Sequence, residues 1–447
     1  MAGLRRKGIA RMAKVASIPA TLMVQRVAAT GKSLLSGAER GSVTDEMLDA
    51  AADQVFAVLG ELKGGAMKLG QALSVAEAGV PPRFADHFRD ALTRLQQEAP
   101  PMPVADTHRM LDMQLGTGWR KRFGHFEDQP VAAASIGQVH RATWHDGREV
   151  AVKVQYPEAE ESLRADLKML QMVSGAFNTL LAGTNARQLI EEFLNRTEDE
   201  LDYRIEAAYQ RRFAKAFADD PQFFVPRVVA AAPKVLVTEW MEGTSLTRII
   251  AGGTRAQRDR AGLLLAEFAL CSPSRVGWLH SDPHPGNFQI RPDNRLGVID
   301  FGACAETPHG IPAAAGKLAR CALTADYEGL ESVLRAEGFV KPGAPLDLAP
   351  IRRRIEPIVA RIDGGANFHF SRAFLQEEVA RSLEPENISL TNARALRAPV
   401  DQPEYAMFGR VLGGVVGICA QLDAEGPFLD LVEKWVPGFG SAQDVAS

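Results

Sequence analysis

The feature that most constrains this chain is a set of short segments in a fixed order. A small-residue stretch, "VAAASIGQV" at 131–139, is followed by "VAVK" at 150–153 and then by an acidic, helix-like region. Next come "TEWMEG" at 238–243, "HSDPHPGN" at 280–287 and "DFG" at 300–302. Each segment alone says little. A strand lysine is usually on a solvated face, and D-F-G occurs by chance. His280 and His284 lack a third ligand at zinc-like spacing. The order is what carries information, together with the separation of Asn287 from Ile299, which suits a β-hairpin.

That order is the order of parts in a kinase fold, and each part has a job in phosphoryl transfer. Lys153 would bind the α and β phosphates of ATP or ADP, and it needs a carboxylate on the following helix to hold it. Glu206 in "YRIEAA" is the better candidate, four residues after Asp202 and on the same helix face. Asn287 and Asp300 would hold Mg2+, because hard oxygen ligands suit a hard cation that bridges phosphates. Asp282 would orient or deprotonate the accepting hydroxyl. Ala132, Ala133, Ala134 and Ser135 would form the loop over the phosphates. Glu239 and Met241 would bracket the hinge, where backbone groups pair with adenine.

The segments between these motifs set the fold class: α+β, a two-lobed, protein-kinase-like fold with an N-terminal helical extension and a largely helical C-terminal lobe. Residues 1–43 are basic, with Arg5, Arg6, Lys7, Arg11, Lys14, Arg26, Lys32 and Arg40 against the single acid Glu39. They suit either an amphipathic helix on an anionic membrane surface or a solvated tail. Within them "ATGKSLL" imitates half of a Walker A motif, but Arg26 stands where its first glycine belongs. Residues 44–123 form the extension, with apolar residues at 3–4 spacing broken by "VPPRF" and "APPMP". Residues 124–240 form the smaller lobe with a helical insertion, and Asp146-Gly147 marks its first hairpin. Two short strands are expected around Pro233. Residues 241–447 form the helical lobe.

Composition excludes several classes. A net charge of −4 argues against a dedicated nucleic-acid binder. The four cysteines, at 271, 304, 321 and 419, form no C-x-x-C pair, as expected of a reducing compartment without disulfides or structural zinc. The longest apolar run, Val411 to Leu422, falls short of the roughly 20 residues a spanning helix needs. No signal peptide is readable. A cytoplasmic protein is expected, or one peripheral on the inner face of a membrane.

The departures from a protein kinase are as informative as the matches. Glycine lets a phosphate-covering loop approach its ligand at unusual φ, yet here the loop is alanine-rich and only Gly137 remains. Ser281 replaces the arginine that reads a phosphorylated activation loop. His284 replaces the lysine two residues after the catalytic aspartate, so its charge would change near neutral pH. A bond from His284 to a backbone carbonyl is the structural alternative. No A-P-E follows "DFG", and a helix is expected to begin near Ile311. A peptide substrate would have no platform.

Over roughly residues 60–310 the sequence resembles the UbiB family of atypical kinase-like proteins, tied to ubiquinone and isoprenoid-lipid biology. The resemblance rests on "KLGQ" at 68–71, "AAAS" at 132–135, "ELD" at 200–202, "HSDPHPGN" and "DFG". It implies that Lys68 and Gln71, on a helix of the extension, enter the active site where a protein kinase takes its peptide. There they would meet Glu200 and Asp202. Glu200 then becomes an alternative partner for Lys153. It further implies an atypical kinase or ATPase using ATP and Mg2+ in support of quinone or other isoprenoid-lipid metabolism, and no phosphorylation of other proteins. Expected partners are nucleotide, an anionic membrane, isoprenoid or quinone intermediates, quinone-pathway enzymes and a second copy of the chain. Two other classes stay open: a small-molecule phosphotransferase of the aminoglycoside or choline kinase type, and a nucleotide-gated pseudokinase scaffold.

Overall fold

In "EVAVKVQ" the side chains of Val150, Val152 and Val154 fall on one face of a strand and those of Ala151 and Lys153 on the other. The structure, a computed structural model, buries the three valines completely and leaves Lys153 half-buried. It describes Ala52 and residues 101–134, 136–164, 168, 201–362, 367–387, 389–396 and 404–440. The chain divides into two compact units, residues 1–205 with 229–239 and residues 206–228 with 240–447.

The first unit is a sheet backed by a helix. Helix α1 (Val104–Leu115) precedes strands β1 (Phe123–Phe126), β2 (Ala132–Ala134), β3 (Gly137–Trp144) and β4 (Glu149–Gln155). Strands β6 (Val228–Ala232) and β7 (Val235–Glu239) complete its sheet, after helix α2 (Tyr203–Ala216) and strand β5 (Phe223–Phe224), which from Glu206 onward belong to the second unit. The sheet order is β1-β3-β4-β7-β6, with β2 added to β3. The β3–β4 hairpin turns at Asp146-Gly147 as expected, with Gly147 at φ +89°, a conformation glycine adopts without steric cost. The two strands expected around Pro233 are β6 and β7. Met110 and Leu111 of α1 join the valine face of β4 in one core with Trp119, Phe123 and Trp144. Edge-to-face aromatic pairs run through it, Phe123 and Trp144 at 4.9 Å and Trp119 and Phe126 at 5.1 Å.

One expectation is corrected here. Residues 132–134 are not a loop. They form strand β2, with Ala132 opposite Val139, Ala133 opposite Gln138 and Ala134 opposite Gly137. Alanine has none of glycine's freedom at positive φ and fits a ladder, so a run of alanines next to a β-forming segment pairs with it.

The second unit is built around one buried helix. Strand β8 (Thr244–Ser245) and helices α3 (Leu246–Gly252) and α4 (Arg255–Val276) lead to β9 (Trp278–His280). Then come β10 (Phe288–Ile290), β11 (Leu296–Val298) and β12 (Cys304–Glu306). Helices α5 (Ala313–Leu323), α6 (Tyr327–Ala336) and α7 (Leu348–Ile362) follow, then α8 (Arg372–Leu383), α9 (Leu390–Ala395), α10 (Glu404–Leu422) and α11 (Phe428–Trp435). Helix α4 opens on a capping box, Thr254 with Gln257, and closes on Gly277 in the left-handed region at φ +73°. From Leu264 to Pro273 every residue of α4 is buried. Phe268 sits among Phe213, Phe217, Phe223 and Phe288, with ring centroids 5.5–6.3 Å away. Glu267 accepts from Lys434, Trp435 and Gln222, tying α11 to α4. Burial pushes that carboxyl up, but the three donors outweigh it and its pKa ends below the ordinary value.

The apolar run at 411–422 lies in α10, which packs on α4 with Val411, Val415, Ile418 and Cys419 buried. No helix among the described residues is long and apolar enough to cross a membrane.

Helix α10 also sets the height of the loop after β9. A Cβ built on Gly414 would stand 2.4 Å from Cγ of Pro283. Gly414→Ala should therefore push the 281–284 loop outward and cost about 1–3 kcal/mol, the usual range for overpacking. Phe268→Ala should cost about 3–5 kcal/mol. Chemical denaturation of both variants checks the two figures.

Candidate active site

In the second unit the expected metal-ligand and acid–base residues lie beside two antiparallel strand pairs, β9–β12 and, between those strands in the chain, β10–β11. Strands β9 and β12 pair with His280 opposite Cys304, and Ser281 N–H donates to the Ala303 carbonyl at 3.0 Å. Asp282 thereby enters the loop beside the D-F-G segment. Strands β10 and β11 pair Phe288 with Val298, which is the hairpin expected between Asn287 and Ile299. Ile299 N–H donates to the Asn287 carbonyl at 2.9 Å and closes its base.

Asp282 and Asn287 are held together directly. Asn287 Nδ2–H donates to Asp282 Oδ2 at 3.0 Å and to the Asp282 carbonyl at 3.2 Å. The amide thus spends its donors on Asp282, and its Oδ1 faces no donor among the described residues. Asp300 has φ +60°, the left-handed region that Asp tolerates better than most residues. Hydrogen bonds from both neighbouring segments help hold it there. His280 Nε2–H donates to the Asp300 carbonyl at 2.8 Å, and Gly302 N–H donates to Asp300 Oδ1 at 3.3 Å. His280 is 4% exposed, and burial lowers its pKa, so it donates as a neutral ring. Phe288 and Phe301 flank that ring at 5.5 and 5.2 Å.

His284 behaves differently from the lysine it replaces. Its Nδ1 accepts Gly286 N–H at 3.1 Å, and Asn287 N–H donates to its carbonyl at 2.9 Å. The ring caps a short turn, Pro285–Asn287, by accepting a backbone N–H rather than donating to a carbonyl. Burial lowers its pKa, against the opposing pull of Asp282 and Asp300. At neutral pH the ring is uncharged, with its proton on Nε2.

Glu206 is 5% exposed on α2. Cys304 reports its surroundings, since burial first, and then the charges of Glu206, Asp300 and Asp282, push that thiol well above its ordinary range. Met241 is buried with its sulfur over Gly297, where an added Cβ would meet Sδ at 2.2 Å. It anchors the chain on the β10–β11 hairpin.

In the first unit Lys153 pairs across the sheet with Val139 and Leu236, and its Nζ lies 5.0 Å from the Tyr203 ring centroid. Gly137 is packed by close approach: a Cβ there would stand 2.3 Å from the Val154 carbonyl oxygen. Glu239 ends β7 with Arg148 Nη1 at 4.0 Å. Asp202 precedes α2 rather than lying on its face. Its carboxylate accepts two bonds from Arg204 Nε and one from Nη2, and these hold its pKa below the ordinary value. Lys68, Gln71, Ser135 and Glu200 lie outside the described residues.

Four contributors were not anticipated from the sequence: the His280 clamp, the Tyr203 ring under Lys153, the Arg204 partner of Asp202 and the Gly414 seat for Pro283. His280 carried a signal, as the residue two before Asp282, the aspartate expected to be catalytic. The Tyr203 ring and the Gly414 seat depend on neighbours that folding supplies, while Arg204 stands two residues from Asp202 in the chain.

Comparisons with known proteins converge on one family. The model of the "ABC1 atypical kinase-like domain" matches residues 94–334, so "KLGQ" lies outside the match. "Atypical kinase COQ8B, mitochondrial" of Danio rerio is 30% identical over 308 residues, 67% of this chain and 49% of that protein. "Atypical kinase coq-8, mitochondrial" of Caenorhabditis elegans is 34% identical over 273 residues, 57% of this chain and 34% of that protein. This chain spans about half the length of these curated relatives, or less. A solved structure of Rv3197 from Mycobacterium tuberculosis, in complex with erythromycin, is 47% identical with a TM-score of 0.67 and covers 88% of this chain and 97% of that one. With the domain match covering more than half of its length, the chain belongs to the ABC1 atypical kinase-like family, the group that includes the COQ8 and UbiB proteins.

Proposed function

We propose that this chain binds Mg-nucleotide and acts as an atypical kinase or ATPase in support of quinone or other isoprenoid-lipid metabolism, without phosphorylating other proteins. The observation that carries the reading is the Asn287–Asp282 hydrogen bond, on a hairpin that leads straight into Asp300 with its backbone held left-handed. A loop built only for packing would not need a carboxylate fixed by an amide, beside a second aspartate whose backbone carbonyl is held by a buried histidine.

The donor set fits magnesium. Asn287 Oδ1 and the Asp300 carboxylate are hard oxygens. Among the described residues no group of three or more His, Cys, Asp or Glu could hold a metal unaided. Two protein ligands with phosphate and water completing the shell is the usual arrangement for this ion. When bound, Mg2+ would neutralise charge on the phosphate oxygens. Lys153 would supply a further cation to the phosphates. Asp282, oriented by Asn287, would take the proton of the attacking hydroxyl or water. His284 is neutral, so it would offer an N–H where a protein kinase offers an ammonium, and the transferring group would receive less stabilisation. The same reading places Lys68 and Gln71 against the acids at 200 and 202 as an occluding device, and the basic residues of 1–43 on an anionic membrane.

A second reading rests on one observation, that the mycobacterial relative was solved with erythromycin. On that reading the acceptor is a bulky, hydroxylated small molecule, as in the small-molecule phosphotransferases.

Turnover of ATP by the full chain, with and without anionic liposomes and with erythromycin as a competing acceptor, separates these readings. Stimulation by liposomes supports the first. Phosphate incorporation into the macrolide establishes the second. No turnover under either condition leaves only a nucleotide-gated scaffold. Asp300→Asn removes a charge facing the metal and should abolish Mg2+-dependent nucleotide binding. Unchanged affinity in a filter-binding titration sinks the metal assignment. Ala133→Gly should loosen the β2–β3 hairpin, tighten ATP binding and permit autophosphorylation, at about 1 kcal/mol of stability. Unchanged affinity and phosphorylation would show that the alanines are not the restraint.

A further inference from the structure

A buried polar network in the first unit joins helix α1 to the alanine-rich hairpin. Gln138 is 1% exposed and His140 is fully buried, both on β3. Met102 N–H donates to Gln138 Oε1 at 2.8 Å. Gln138 Nε2–H donates to Thr107 Oγ1 at 3.2 Å and to His140 Nε2 at 2.8 Å. His140 Nδ1 lies 2.8 Å from the Glu127 carbonyl.

The chemistry allows one assignment of these atoms. Met102 N–H can only donate, so the glutamine oxygen faces it and the glutamine nitrogen faces the histidine. The Glu127 carbonyl can only accept, so the ring proton sits on Nδ1 and Nε2 is a lone pair. Every member is satisfied while His140 is neutral. A proton on Nε2 would oppose two donors. The Gln138 amide must then rotate to turn its oxygen to the ring, and its nitrogen would face Met102 N–H, again donor against donor. One buried hydrogen bond is lost either way.

Gln138 is also the backbone partner of Ala133 on one side and of Val154 on the other. The same residue therefore fixes the entry to α1 through its side chain and the alanine-rich hairpin through its main chain. We propose that Gln138 and His140 form a proton-sensitive latch that ties residues 102–107 to the alanine-rich hairpin, closed while His140 is neutral and open when it is protonated.

The charged and titratable groups facing His140 are Glu127 and Asp128, which favour the cation, and His108 on α1, which opposes it. His108 is itself held by Asp128 at 2.7 Å and by Arg120. Phe126 stacks on the His140 ring at 5.1 Å and keeps water from one face. Burial is the largest influence and lowers the His140 pKa below its ordinary value. The folded state thus binds this proton less readily than the unfolded chain. The stability that depends on the neutral ring is complete above about pH 6.5 and declines as the pH falls from there toward the folded value.

Hydrogen exchange of the full chain at pH 7.5 and 5.5, corrected for intrinsic rates, tests the latch without any nucleotide, so its outcome is separate from the reading above. In the parent, peptides covering 102–107 and 132–139 should lose protection on the order of tenfold at the lower pH, while β4 and β7 keep theirs. Gln138→Glu places an acceptor toward both Met102 N–H and the protonated ring, so its protection at 5.5 should match or exceed that at 7.5. Gln138→Met should be loose at both values, and His140→Asn should lose the pH dependence. If Gln138→Met does not fold, Gln138→Glu alone decides, because only a latch has its acid loss removed or reversed by that change. Equal protection of the parent at both pH values overturns the proposal. So does an acid loss in Gln138→Glu like that of the parent, or a loss at 102–107 that leaves 132–139 unchanged.

Discussion

The carbonyl of Asp300 is the point on which the candidate site depends. It accepts a hydrogen bond from a neutral, buried histidine two residues before Asp282, and it does so with its own backbone in the left-handed region. An aspartate in that conformation persists only where the surroundings over-determine it. Here they do. The His280 ring lies between Phe288 and Phe301, in the aromatic cluster around Phe268 on helix α4. The largest apolar core of the second unit therefore reaches the chemistry through one imidazole. The cost of desolvating that ring is offset because it stays uncharged and finds an acceptor.

The loop after β9 is set from two sides. Asn287 binds the Asp282 carboxylate from within the loop, while Pro283 rests on Gly414 of α10. Distant residues thus define the position of a short motif. Helix α10 would read in isolation as an apolar segment, yet its small residues act as a seat. His284 fits the same logic. By accepting Gly286 N–H it fixes the turn that carries Asn287, and its lowered pKa keeps it neutral in that role. A lysine could donate but not accept there, so this loop could not be held in the same way by the residue a protein kinase uses.

The alanine-rich segment departs furthest from a protein kinase. As strand β2 it is laddered to β3, and Gly137 is spent on close approach to the Val154 carbonyl rather than on freedom of φ. Backbone N–H groups used in a ladder are not free to cradle phosphates. Two contacts in the first unit come from the start of helix α2. Asp202 is engaged by Arg204, two residues away, and Lys153 lies over the Tyr203 ring.

The sequence by itself determined the parts and their order. Alternation in "EVAVKVQ" set the face that Lys153 occupies, Asp146-Gly147 set the first hairpin, and the separation of Asn287 from Ile299 set the second. Those features are encoded by neighbours in the chain, where the period of a strand or the φ demanded of a turn is visible in residue type. The alanine run was legible as a departure, but its ladder with β3 was not, because pairing depends on the partner and not on the run. Tertiary structure alone decided the rest. It made His280 a clamp, turned Gly414 into a seat for Pro283, gave His284 an acceptor's role and joined Gln138 to Met102. His280, Gly414 and Gln138 depend on what a distant segment presents, and His284 on the turn its own loop adopts; burial and the final path of the chain decide each, and residue type alone carries neither.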